Sequence, residues 1–230
     1  MLSRRLETAA SAILTVAAVA VAVSVVYDVF IADRSNGVRS SESVATRYVA
    51  EWQEVLKLAT QVDGAGNQVT VLEFTDFECP ACRQFETSLE TVKPELRAKM
   101  SLSLLHLPLP YHRFALPSAV AFECATRQGR AKEMKQILFA QQDSLGLMSW
   151  QTMAARASVA DSAKFGECVE ARPDIAKIQA GEEMARRLGV RGTPTIVVNG
   201  WMLGAVPSAS DLERLIAMFA RGENPFPELQ

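Results

Sequence analysis

Cys79 and Cys82 are separated by two residues in the run Cys79-Pro80-Ala81-Cys82, a spacing at which two thiols can close a small disulfide ring with little movement of the chain. The pair follows an apolar, β-branched stretch, Val69 to Phe74. It precedes a helical pattern in which Phe85, Leu89 and Val92 recur at three and four residues. A cysteine at a helix amino terminus faces unpaired amides and the positive end of the helix dipole, both of which favour a thiolate. Cys79 is therefore the expected nucleophile. Cys82, one turn further on, is the expected resolving thiol. Pro80 is tolerated in a first helical turn, where its missing N–H is not needed. Ala81 adds neither charge nor hydrogen bond, so the dipeptide predicts a modest stabilisation of the Cys79 thiolate.

The alternative for such a pair is half of a zinc site, which needs a second pair or histidines at matching spacing. Cys124 and Cys168 would complete four thiolates by count, but each stands alone in its own helical segment. In an oxidising compartment two such residues are expected to pair with each other. Closing a loop of about 45 residues would stabilise the fold by roughly 4 kcal/mol. His106 and His112 are the only histidines. His106 lies in an apolar strand and His112 in the following loop, and neither is given a catalytic or metal-binding role; no metal or cofactor is expected. Glu73 stands six residues before Cys79 on the strand that delivers it. Alternation points it away from Leu72 and Phe74. On a strand buried on both faces it would be a buried acid able to relay a proton to Cys82; on a strand with one wet face it would be an exposed carboxylate.

Positioning these residues requires one substantial core, and 230 residues are enough for it. The 24 basic and 26 acidic residues leave a formal charge of −2, which offers no field for a polyanion and argues against nucleic acid. From Thr8 to Tyr27 the chain runs 20 residues without a charge, roughly 30 Å as a helix, the thickness of a bilayer core. Arg4 and Arg5 precede it, and a mixed-charge segment follows. This predicts a single-pass anchor with the amino terminus cytoplasmic and the rest extracytoplasmic, on the periplasmic side. A cleaved signal sequence is the alternative, and it also exports the protein.

Further along, Val44 to Ala59 carries Tyr48, Trp52, Val55 and Leu56 at helical spacing and predicts a lead-in helix. Strands are predicted at Val69 to Phe74 and Ser101 to Leu109. The period is helical from Leu116 to Leu188, with Ser149 and Asp161 as amino caps. Strands resume at Thr195 to Val198 and Trp201 to Ala205 around an Asn199-Gly200 turn signal. A last helix is predicted from Asp211 to Ala220, with Ser210 and Glu213 as a capping box.

The stretch Val-Thr-Val-Leu-Glu-Phe-Thr-Asp-Phe-Glu-Cys-Pro-Ala-Cys-Arg-Gln-Phe, residues 69 to 85, resembles the active-site strand and helix of DsbA-type proteins of the thioredoxin superfamily. Gly189-Val190-Arg191-Gly192-Thr193-Pro194-Thr195, running into Val197-Val198-Asn199-Gly200, resembles that family's cis-proline segment. With the helices between them, the two matches cover roughly residues 45 to 221. The resemblance implies that Cys79 is the nucleophile, Cys82 the resolving cysteine and Glu73 the buried acid. It also implies that Thr193-Pro194 has a cis bond that brings the Thr193 backbone opposite the Cys79 sulfur, where an extended peptide can pair as an added strand. Ala81 departs from the best-known member, which has a histidine between its cysteines, and so argues against strong oxidase character.

The expected architecture is an α/β thioredoxin-like fold with an inserted helical subdomain, plus one N-terminal transmembrane helix. Its expected divisions are an anchor at 1–31, a stalk and lead-in helix at 32–60, a first thioredoxin-like part at 61–115, the helical insertion at 116–188 and a second thioredoxin-like part at 189–230. The expected function is extracytoplasmic thiol-disulfide exchange that forms, reduces or reshuffles disulfides in exported proteins. A membrane redox partner would recycle the pair, and membrane lipid would hold the amino-terminal helix. The rival reading is a membrane-anchored thiolate metallochaperone, suited to a soft cation, or a peptide-binding module.

Overall fold

The computed structural model describes residues 46–64 and 66–229. The anchor expected at Thr8 to Tyr27 and the stalk after it lie outside the described residues. Among the described residues no helix is long and apolar enough to cross a membrane.

A six-stranded mixed sheet carries the site. Its strands are β1 (Arg47–Tyr48), β2 (Thr60–Asp63), β3 (Val69–Thr75), β4 (Met100–His106), β5 (Thr195–Val198) and β6 (Trp201–Met202), in the spatial order β1-β6-β5-β3-β4-β2. Only β3 and β4 pair in parallel, joined by α2 (Pro80–Thr91) and the short α3 (Pro94–Arg97); the other pairs are antiparallel. β3 is central and buried along nearly its whole length. It therefore reads as a continuous apolar run, as a strand covered on both faces should.

Alternation assigns the two faces. Val69, Val71, Leu102, Leu104, Ile196 and Val198 join one core, while Leu72, Phe74, Leu105 and Val197 join the other. The first core is covered by α2, by α9 (Ala209–Ala220) and by most of the helical insertion. The insertion comprises α4 (Ala115–Thr126), α5 (Ala131–Ala140), a 3₁₀ turn at Gln142–Ser144, α6 (Trp150–Arg156), α7 (Ser162–Ala171) and α8 (Ile175–Arg187). The second core is covered by α1 (Trp52–Leu58) and by α8, which contributes Met184 and Ala185. The insertion thus wraps the sheet and covers both of its faces.

Local signals explain many boundaries. Ser149 and Asp161 cap α6 and α7, their side chains accepting the amides of Thr152 and Lys164. Asn199 and Gly200 both take positive φ, as a tight hairpin turn between β5 and β6 requires. Pro94 starts a new helix instead of kinking a continuous one.

Four expectations are corrected. Tyr48 belongs to β1, which pairs with β6, and the helix begins only at Trp52. No strand is predicted between the lead-in helix and Val69, yet β2 forms there and pairs with β4 on the far edge of the sheet. Strand β6 ends at Met202 and does not continue to Ala205. The cap of α9 is Ser208, whose side chain accepts the Asp211 amide, while Glu213 accepts the amide of Lys93.

Candidate active site

Cys79 is the residue that caps α2, with extended backbone angles, and Pro80 follows at the first helical position. That placement turns the first amides of the helix toward the Cys79 sulfur. Cys79 is 7% exposed and Cys82 is fully buried at 0%, and both are free thiols. The Thr193-Pro194 bond is cis. The Cys79 thiol donates to the Thr193 carbonyl at 3.3 Å across 114 residues of sequence. The Thr193 hydroxyl is buried and has no hydrogen-bond partner among the described residues, so it is a donor available to the sulfur once the sulfur ionises.

The two thiols have opposite acidities. The Cys79 thiol is lowered to about 5, first by the adjacent Cys82 thiol, then by Thr193 and by the amides of Cys82 and Ala81; burial opposes this. Burial is the main reason that Cys82 is pushed up, with the Cys79 sulfur and Glu73 adding to it. The stabilisation of Cys79 is larger than the bland Pro-Ala dipeptide suggests, because its donors are a neighbouring thiol, a distant threonine and main-chain amides. None of them is a side chain of the dipeptide.

Glu73 is 1% exposed on β3, on the face that also receives Cys82. Its Oε1 has no hydrogen-bond partner among the described residues. Burial raises its pKa to about 8, with the charge of Lys135 partly offsetting that rise. At neutral pH the carboxyl holds its proton beneath Cys82 and is suited to exchanging it.

Several neighbours were invisible in the sequence reading. Asp76, 2% exposed, accepts the Glu78 amide at 2.8 Å and the Leu109 amide at 2.9 Å, and meets His112 Nδ1 at 2.7 Å. Its main-chain carbonyl accepts the amide of Cys79. The only local signal was an aspartate just after a strand, a common turn residue. Lys135 of α5 and Glu86 of α2 form a buried ion pair, and Gln142 reaches the main chain of the active-site turn. Nothing in the residues adjacent to these side chains forecasts those contacts.

The histidines have carboxylate partners that the sequence did not reveal. His106 Nε2 lies 2.9 Å from Glu123 Oε1, and Glu123 also receives Thr60 and Lys177. Although burial opposes it, these donors hold the Glu123 carboxyl down at about 2, with His106 foremost among them. Among the described residues no cluster of three or more candidate ligands could hold a metal ion. Cys124 and Cys168 are joined to each other by a disulfide between α4 and α7, so they cannot complete a four-thiolate site with Cys79 and Cys82.

Two shallow grooves lie along the cis-proline segment and the first turns of α2. One, of about 140 Å³, runs along Pro194, Thr195 and Leu203 to Val206. The other, of about 300 Å³, lies between Ala81, Gln84 and Phe85 of α2 and Val206 and Pro207 of the β6–α9 loop. Val206 borders both and is 46% exposed.

A family profile described as thioredoxin matches residues 65–217. Among curated proteins, the chain is 35% identical over 133 residues to a Na(+)/H(+) antiporter, NhaA 3, of Salinispora tropica, covering 57% of this chain and 20% of that protein. It is 31% identical over 137 residues to NhaA 1 of Mycolicibacterium gilvum, covering 57% and 22%. The match therefore spans only about a fifth of the length of these relatives. Among solved structures, oxidised BdbD from Bacillus subtilis superposes with a TM-score of 0.62 at 16% identity, covering 78% of this chain and 99% of that one. A thioredoxin-like oxidoreductase from Silicibacter pomeroyi gives 0.60 at 22% identity, covering 75% and 99%. Proteus mirabilis ScsC in a transitional conformation gives 0.61 at 16% identity, covering 93% and 99%. At these identities the likeness to the solved structures is one of fold.

Proposed function

The chain belongs to the thioredoxin family, and from that premise we propose that it is a DsbA-like thiol-disulfide oxidoreductase whose redox pair is Cys79 and Cys82. The observation that carries this reading is the position of the Cys79 sulfur, at the start of α2 and 3.3 Å from the carbonyl beside the cis proline. There a low thiol pKa meets a backbone edge on which an extended peptide can lie.

In the oxidising direction, a substrate thiolate attacks the Cys79 sulfur of the enzyme disulfide and the electron pair of the S–S bond leaves on Cys82. Proton transfer from Glu73 to that sulfur completes the step, as expected for a thiol whose burial disfavours the anion. The substrate's second thiolate then attacks its own sulfur in the mixed disulfide and releases Cys79 as a thiolate. The low pKa of Cys79 makes it a good leaving group and stabilises the reduced enzyme, which supports net donation of the disulfide. In the reducing direction, Cys79 attacks and Cys82 resolves.

Thr193 and Pro194 serve as the substrate-binding edge, with the two grooves beside them taking side chains of the bound segment. The Cys124–Cys168 bridge is structural and is consistent with an oxidising, extracytoplasmic location. The substrates are accordingly thiols of exported proteins. Residues 8–27 anchor the domain in membrane lipid, and a membrane redox partner returns the pair to the disulfide. The ion antiport named for the curated relatives is not carried over, because the shared stretch is a small part of those proteins.

The test is oxidation of a reduced two-cysteine peptide by the oxidised protein, alongside its Cys79→Ser variant. Stoichiometric peptide disulfide from the wild type and none from the variant is expected. Equal activity of the two, or none in either, removes the reading.

A further inference from the structure

The helical insertion reaches into the active-site turn through one side chain. Gln142, 7% exposed in the 3₁₀ turn after α5, donates from Nε2 to the carbonyl of Phe77 at 2.8 Å and to that of Cys79 at 3.0 Å. Those carbonyls bracket Glu78, the residue at which the chain turns from β3 into α2. The Cys79 carbonyl is also the first acceptor of α2, taking the amides of Cys82 and Arg83. Among the described residues no main-chain amide donates to the Phe77 carbonyl, so Gln142 satisfies a buried acceptor that would otherwise be orphaned.

Direction is the important quantity here. The peptide plane between Cys79 and Pro80 carries no N–H, so the amides that face the sulfur are those of Ala81 and Cys82. Their aim relative to the sulfur depends on how that plane is turned, and a donor fixed on the Cys79 carbonyl sets it. We infer that Gln142 is a positioning residue for the redox centre: its amide group holds the Cys79 carbonyl and so keeps the sulfur aimed at the first amides of α2. The inference rests on the exchange reading of Cys79 and Cys82. It adds that the insertion helps tune the thiolate as well as covering the sheet. Cys82 on α2, Glu73 on β3 and Lys135 on α5 also influence the centre by charge; of these, Cys82 meets the carbonyl that Gln142 holds, through its main-chain amide.

The experiment uses the full chain with Gln142→Met, which keeps side-chain length and removes both donors. The Cys79 thiolate is titrated by its ultraviolet absorbance in reduced protein, with the oxidised form as the blank. The equilibrium of the pair with glutathione is measured in parallel. The expected result is about a tenfold rise in the proton affinity of Cys79 and a matching shift toward the disulfide. An unchanged titration in a folded variant overturns the proposal. Should Gln142→Met fail to fold, the wild type decides. The side-chain amide resonances of Gln142 are expected to shift with the Cys79 titration, and flat resonances through that range overturn it too. A wild-type chain that oxidises no peptide removes the proposed function, while the titration still reports on Gln142.

Discussion

Glu73 illustrates how burial gives a common residue an uncommon property. A carboxyl whose pKa is raised from 4.5 to about 8 binds its proton more tightly in the folded chain than in the unfolded one. Above pH 4.5 the unfolded chain gains by ionising while the folded chain does not, so stability falls across that window until the folded pKa is passed. Glu73→Gln is therefore expected to stabilise the protein, with a gain that is absent at about pH 4 and grows to a few kcal/mol by about pH 8. The same substitution removes the proton exchanger beneath Cys82 and is expected to slow disulfide exchange at least about tenfold. Urea unfolding across that pH range, with stopped-flow peptide oxidation, checks both; a variant that neither gains stability nor loses rate contradicts this account of Glu73. The residue's strand and side were legible from alternation. Its full burial was not, because that required knowing that helices cover both faces of β3.

Helices α2 and α5 meet through a charge pair inside an apolar core. Lys135 is 1% exposed and Glu86 is 5% exposed, and Glu86 Oε1 has no hydrogen-bond partner among the described residues. Removing one member leaves the other buried and uncompensated, which costs about 3 to 5 kcal/mol, whereas replacing both with apolar residues is often neutral. Lys135→Met alone is expected to lose that much in chemical denaturation, and Lys135→Met with Glu86→Leu is expected to recover most of it. If the double variant is as unstable as the single one, the pair contributes through packing and not through charge. The helical pattern of both elements was readable, as were the caps at Ser149 and Asp161. Pairing between α2 and α5 was not, since Glu86 and Lys135 are 49 residues apart. The same limit explains why β2 was missed. Its four residues carry little signal of their own and become a strand by pairing with β4.

At the scale of the whole molecule, the redox state of one pair is linked to the stability of the fold. The Cys79 thiol is lowered from 9.0 to about 5 in the reduced protein. A depressed pKa contributes stability that is fully present above the unfolded value and is lost as pH falls through the folded one. The reduced form is therefore expected to gain melting temperature relative to the oxidised form as pH rises from about 5 to about 9. Paired thermal scans of the two forms measure it. A difference that stays constant across that range would contradict the assigned thiolate.

The sequence alone determined the features that depend on short-range spacing. The two cysteines one helical turn apart, the alternation of β3, the Asn199-Gly200 turn and the change from strand to helix period all follow from neighbouring residues. Tertiary structure decided what surrounds the sulfur. Thr193, which only the family resemblance placed opposite the sulfur, arrives across 114 residues, Gln142 across 63 to the Cys79 carbonyl, and His112 reaches Asp76 across 36. Thiol acidity depends on local dielectric and on donors within hydrogen-bond reach. Those are set by which distant segments fold against α2, and no run of adjacent residues encodes that.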